Sequence, residues 1–266
     1  MTDATSTTEA AQHRPNADEA ALTGFALLQT PAWEPERLRE RLEADWGEKI
    51  EVPLPAAGRP WIFPLAGSIV VLGLEAHPLS ARIGEDAARS AWPLAEEVAH
   101  NHLGAVIAAV VPESAPLAEN ARTYAKVLSS LSKLSNVMGI ATAAQIFSPA
   151  AFRAAAAQIK EKPECFPAEL VVYFGVWQEA EGAAPNGCTF GLGRFALPEI
   201  EVEPCGLNAG EIRELLEAAV RVELEAGKIL KTDDVLAHNG VDYVVSFGPS
   251  IGIPGTSTLH LERAGS

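Results

Sequence analysis

The chain has 266 residues, 48% of them hydrophobic and 21% charged, which excludes whole-chain disorder, collagen and coiled coil. Its 20 basic residues against 35 acidic ones give a net charge of −15, a balance that opposes nonspecific binding to nucleic acid or to an anionic membrane, because both need basic surface. Three cysteines without a C-x-x-C pair (Cys165, Cys188, Cys205) fit neither a disulfide framework nor a zinc ribbon. The N-terminus lacks the pattern of a secretory signal, and no apolar run reaches the ~18–20 residues of a membrane span. The expectation is a cytoplasmic protein.

Residues 1–23 are small and polar, without aromatics, and read as a disordered tail. A first strand begins at Phe25. Pro35 suits a helix start, Leu38, Leu42 and Trp46 follow at spacing four, and Gly47 suits its stop. Strands are predicted at Ile50–Val52, at Trp61–Phe63 and at Ser68–Leu74, the last two joined by a turn at Ala66-Gly67. Glu85–Asn101 reads as a helix that Pro93 either kinks or starts. A strand at Leu103–Val111 completes a β-α-β-β-α-β order, which predicts a ferredoxin-like first half.

Pro116–Leu134 is an amphipathic helix, Val137–Ala141 a short strand, and Ser148-Pro149 opens a helix to Lys160. The segment Lys162-Pro-Glu-Cys-Phe-Pro divides an N-terminal half, 24–162, from a C-terminal half, 163–266. The second half is predicted to hold strands at Glu169–Gln178, around Thr189 and at Phe195–Val202. A helix follows from Asn208, whose Asn208-x-x-Glu211 start resembles a capping box. Three short strands close the chain. Helices mixed with hairpin-linked strands in both halves predict an α+β fold with mainly antiparallel sheets.

Several motifs match a chemical pattern but not its structural context. Gly191-Leu-Gly193-Arg-Phe-Ala196 fits G-x-G-x-x-A, yet the next residues read as a strand containing proline, where a dinucleotide site needs a helix facing the pyrophosphate. Gly248-Pro-Ser250-Ile-Gly252 fits the nucleophile elbow, but Gly252, Pro254 and Gly255 forbid the helix that must follow. His100 and His102 form H-x-H. They share one face on a strand and diverge by about 200° on a helix; no metal site is expected, a histidine at a helix end being the preferred reading, and a site built on this pair would need a further ligand such as His77. Cys188 reads as an idle thiol. The sequence calls for no cofactor.

Glu199, Glu201 and Glu203 alternate with Ile200 and Val202, so the three carboxylates share one strand face at a spacing of ~7 Å. That stripe is the predicted partner-binding site, a docking surface for a protein with a basic surface. The preferred function is binding without catalysis. The alternative is a small-molecule-binding or hydrolytic enzyme using His100, His102 and Ser250. Oligomeric state stays open.

The segment Thr189-Phe-Gly191-Leu-Gly-Arg-Phe195-Ala-Leu-Pro-Glu199-Ile-Glu201-Val resembles a motif of the bacterial domain of unknown function 4261 family. There a Thr-x-Gly, an aromatic and a Glu-Ile-Glu-Val-like strand occur in this order. The strand Glu169–Trp177, the helix from Asn208, Lys231-Thr-Asp233-Asp, the Pro249-Ser-Ile loop and His102-Leu-Gly-Ala-Val-Ile after Trp92-Pro93 fit the same pattern. Ala105 stands where the family often has a second histidine, and Ala196 where glycine is common. The resemblance implies a small cytoplasmic accessory protein, an immunity or chaperone-like partner in a toxin or secretion system.

Overall fold

Apolar residues at every second position build most of the two sheets of this protein, seen in a computed structural model that describes residues 21–79, 82–252 and 255–265. The first sheet holds β1 (Leu22–Leu28), β2 (Trp61–Leu65), β3 (Ser68–Glu75), β4 (Gly104–Pro112), β5 (Val137–Thr142) and β6 (Gln145–Phe147). Their order is β2-β3-β4-β1-β5-β6, antiparallel throughout. The second sheet holds β7 (Tyr173–Trp177), β8 (Asn186–Phe190), β9 (Ile200–Val202), β10 (Val235–His238), β11 (Val241–Pro249) and β12 (Ser257–Arg263). Its order is β10-β11-β12-β9-β8-β7, with β12 and β9 parallel and the other pairs antiparallel. The helices are α1 (Pro35–Trp46), α2 (Arg82–Arg89), α3 (Ala95–Asn101), α4 (Leu117–Leu131), α5 (Pro149–Glu161), α6 (Ala168–Val171) and α7 (Ala209–Leu224). The fold is α+β, as the sequence predicts. No helix among the described residues is long and apolar enough to cross a membrane.

Local chemistry sets the helix ends. Pro35 occupies the first turn of α1, and Gly47 ends it at φ 72°. The Ser148 hydroxyl accepts the Ala151 N–H at the start of α5. Asn208 and Glu211 form a reciprocal capping box on α7.

The strand order is not ferredoxin-like. A split β-α-β unit needs β3 beside β1; here β4 lies between them and pairs antiparallel with both. Four elements also differ from expectation. Ile50–Val52 forms no strand, and the prolines at 53 and 55 have no N–H to extend one. The helix expected over Glu85–Asn101 is two helices, broken at Trp92-Pro93. Ala168–Val171 is a helical turn before β7. Leu192–Phe195 is a 3-10 turn, which leaves only Ile200–Val202 as strand. The expected tail falls outside the described residues up to residue 20, and Leu22 and Thr23 belong to β1.

The helices α4 and α7 pack on the inner faces of the two sheets. Close approach requires glycine at both contacts. A Cβ on Gly24 would strike the Tyr124 hydroxyl, and one on Gly187 would strike Ile212. A single hydrophobic cluster runs from Leu22 in the first sheet to Leu261 in the second, and within the second half Phe166 meets Phe195 edge-on at 6.4 Å.

The outer face of the first sheet is divided. Leu27, Ala105, Ala141 and Ile146 form a small second core with Ile83, Ala87, Ala95 and Val98 of α2 and α3. Toward β2, β3 and β4 the same face carries Ile62, Pro64, Ile69, Val71, Ile107, Ala109 and Val111. Register joins these into cross-strand rows. Ile62 is 51% exposed, Pro64 is exposed and the other five are partly exposed.

Candidate functional site

The predicted glutamate stripe lies on the outer face of the second sheet. Parallel pairing of β9 with β12 sets His260 beside Glu201, and antiparallel pairing of β9 with β8 sets Cys188 on the other side. Ser246 and Gly175 extend the same row. This row is what links residues far apart in the chain.

Glu201 is 1% exposed. Its carboxylate accepts the Ser250 hydroxyl at 2.5 Å, the Ile251 and Gly252 N–H groups at 2.9 and 3.0 Å and the Thr258 hydroxyl at 3.1 Å. Burial alone would raise its pKa; the four hydrogen bonds outweigh burial and hold the carboxyl below its ordinary value. Four donors use the available lone pairs of a carboxylate. Glu201 therefore fastens the loop after β11 onto the sheet.

Glu199 does the same work for another loop. It accepts the Thr189 hydroxyl and the Gly191 N–H at 2.8 Å each, and the Gly193 N–H at 3.3 Å. Thr189 in turn accepts the Ile200 N–H at 2.8 Å. The 3-10 turn is thus tied to the strand that follows it, and Ala196 at φ 53° closes it. Only Glu203 has the exposure predicted for the stripe; its side chain is 50% exposed and lies 3.4 Å from His260 Nδ1. The stripe as one exposed strand face is corrected accordingly: Glu201 lies within β9 and is buried, Glu199 and Glu203 flank the strand, and only Glu203 is exposed. Charge reversal at Glu199 or Glu201 would release loops before it reported on a partner.

A histidine, hydroxyls and carboxylates do meet here, so catalytic geometry must be weighed. The Ser250 hydroxyl directs its proton to Glu201, whereas a nucleophile elbow directs it to an imidazole. His260 Nε2 lies 3.3 Å from Thr258 Oγ1, but Thr258 is buried and also donates to Glu201. His260 itself is buried, 5% exposed. Among the described residues no helix lies between Ser250 and β12. Burial, with Glu201 and Glu199 adding to it, pushes the Cys188 thiol up to about 12, which removes the thiolate a nucleophile needs.

The H-x-H pair separates. His100 is exposed in the last turn of α3, and His102 is the buried residue that ends it. His102 Nε2 accepts the Leu79 N–H at 2.8 Å, so Nδ1 carries the proton and donates to the Ala99 carbonyl at 2.8 Å. Both ring nitrogens are occupied in anchoring the segment before α2. His77 is exposed beside Glu75. Among the described residues no group of three or more His, Cys, Asp or Glu side chains is arranged to hold a metal.

Sequence reasoning set His260 aside as a residue of the last strand and missed Thr258, because the parallel pairing of β9 with β12 leaves no local signal. It also passed over Arg194, which the 3-10 turn carries to the border of a cavity against the first sheet. The G-x-G-x-x-A segment did point to that turn. No family model, curated protein or solved structure matches the chain.

Proposed function

We propose that this chain is a binding protein without catalytic chemistry, and that it docks a protein partner on the bare aliphatic face of β2, β3 and β4. One observation carries the reading: in a chain of net charge −15, Ile62, Pro64, Ile69, Val71, Ile107, Ala109 and Val111 form a face without an ionisable side chain. Contiguous exposed apolar surface on an otherwise charged protein marks an interaction site. Glu75 and Glu113 stand at the two ends of the β3–β4 pair. The complementary partner is therefore apolar at its centre and basic at its rim. A second copy of the chain would bring acidic rims together. The reading keeps the basic protein partner expected from composition and the accessory role implied by the family resemblance, and moves the contact from the glutamate stripe to the sheet face.

The test places a photo-crosslinking residue at Ile62 and compares adducts from native cell extract with and without Val71→Glu. The expected result is one adduct with an identified basic protein, lost in the Val71→Glu background and weakened at high salt. An adduct only with a second copy, with doubled mass in light scattering, overturns the proposal. So does the absence of any adduct.

A further inference from the structure

The outer face of the first sheet and α2 enclose a cavity of about 210 Å³. Its walls are mainly apolar: Phe25 of β1, Leu79 and Ile83 on and before α2, and Ala141, Ala143 and Ala144 at the β5–β6 hairpin. Arg194 reaches this cavity from the second half of the chain. Its Nη1 is shielded from water and has no hydrogen-bond partner. The guanidinium makes no ion pair with any described carboxylate; the Tyr124 hydroxyl is its neighbour, feeling its charge and accepting a hydrogen bond from it. Tyr124 bonds Thr142, which also borders the cavity.

Two features show that the fold holds this arrangement against local preference. The β5–β6 turn is Ala143-Ala144, with φ of 46° and 64°, where two-residue hairpins normally use Asn-Gly. Alanine in the left-handed region is strained, and such strain gathers at functional sites. The methyl groups form a smooth apolar wall that Asn would interrupt. Arg194 is delivered by the turn that Glu199 fastens through Gly191 and Gly193, so its position is fixed from below. Arg194 thus brings a guanidinium to the border of an apolar cavity with no carboxylate paired to it, and an anion is the group that pairs with it best.

We propose that this cavity binds a small organic carboxylate with a compact branched apolar body, the carboxylate on Arg194 and the body between Phe25 and Ile83. Asp86 borders the same cavity and is paired with Arg89 at 3.2 Å. It offers an acceptor for an ammonium group, so the shared chemistry comes from either a branched carboxylic acid or the matching α-amino acid.

Calorimetric titration of the full chain with 4-methylpentanoate, leucine and 3-methylbutan-1-amine tests it. At least one carboxylate is expected to bind saturably and the amine not to bind. Tighter leucine assigns the ammonium to Asp86; tighter 4-methylpentanoate leaves Asp86 to Arg89 and its other partners. Arg194→Met is expected to weaken carboxylate binding at least about tenfold. Ile83→Trp, which fills the cavity and spares the guanidinium, is expected to abolish it, and it keeps the test decisive if the arginine variant folds poorly. Saturable binding absent for both carboxylates, equal binding of the amine, or unchanged affinity in the folded variants overturns the site.

Discussion

Glu201 and Glu223 are both buried carboxyls, and their partners send them in opposite directions. Four donors converge on Glu201. Glutamine there replaces one acceptor with an N–H₂ that faces two of those donors. Lost charge-assisted bonds and unpaired donors predict a cost of about 2–4 kcal/mol for Glu201→Gln, read by denaturant unfolding, with faster hydrogen exchange at the Ile251 and Gly252 amides. The folded carboxyl lies below its ordinary value of 4.5, so its contribution is present above that pH and fades as pH falls through the lower folded value. The gap between wild type and variant closes in acid. Glu223 accepts only the Leu230 N–H, at 3.2 Å, and its Oε2 has no partner. Burial, with Glu199 adding to it, pushes this carboxyl up to about 7. The unfolded chain then loses its proton near 4.5 while the folded chain keeps its own, so stability falls as pH rises from about 4.5 to 7 and levels off beyond. At about 1.4 kcal/mol per unit the loss reaches up to about 3 kcal/mol. Glu223→Gln is expected to raise the melting temperature at pH 8 and to change it little at pH 5. A pH-independent effect would contradict this account.

At the level of elements, what the sequence shows is what the chain settles within a few residues. The α7 stripe of Ile212, Leu215, Leu216, Ala219 and Val220 is fully buried, and its capping box is formed as read. Pro93 offered two readings of one helix; the structure makes two helices, because α3 begins after the proline. The shared strand face of Glu199, Glu201 and Glu203 follows from period two. Their burial does not, since it depends on loops at 191–193 and 250–252 folding back with unpaired N–H groups that need an acceptor. Strand order is equally non-local: β-α-β-β-α-β fits several sheets, and only pairing across the chain puts β4 between β1 and β3. The His102 anchor belongs to this class. Its partner, Leu79, is 23 residues earlier. His102→Ala removes both ring bonds and is expected to cost about 1–3 kcal/mol, with exchange at the Leu79 amide rising more than in the first sheet. Uniform acceleration would show that His102 acts through the global fold.

Across the whole molecule, two sheets without a shared strand are joined by one apolar cluster. The junction includes Phe166 beside Ala155 and Ile159 of α5, the Thr142 hydroxyl on the Leu170 carbonyl at 2.9 Å and the Tyr173 hydroxyl on the Arg89 carbonyl at 3.2 Å. Arg89 also lies over the Phe190 ring, 5.6 Å from its centroid. The shared apolar cluster and the buried Thr142–Leu170 bond span the break at Lys162–Pro167, so neither half keeps its inner face dry alone. Unfolding is therefore expected as one transition. Trp61 in the first sheet and Trp177 in the second give separable fluorescence reporters when each is retained singly. Their denaturant midpoints should coincide with each other and with circular dichroism. Phe166→Ala removes a buried aromatic from the junction and should lower both midpoints together, by about 3–5 kcal/mol in stability. Two midpoints that separate, or a variant that shifts only the Trp177 signal, would show that the sheets fold as independent bodies. The cavity that takes Arg194 from one half and Phe25 from the other would then have no fixed shape.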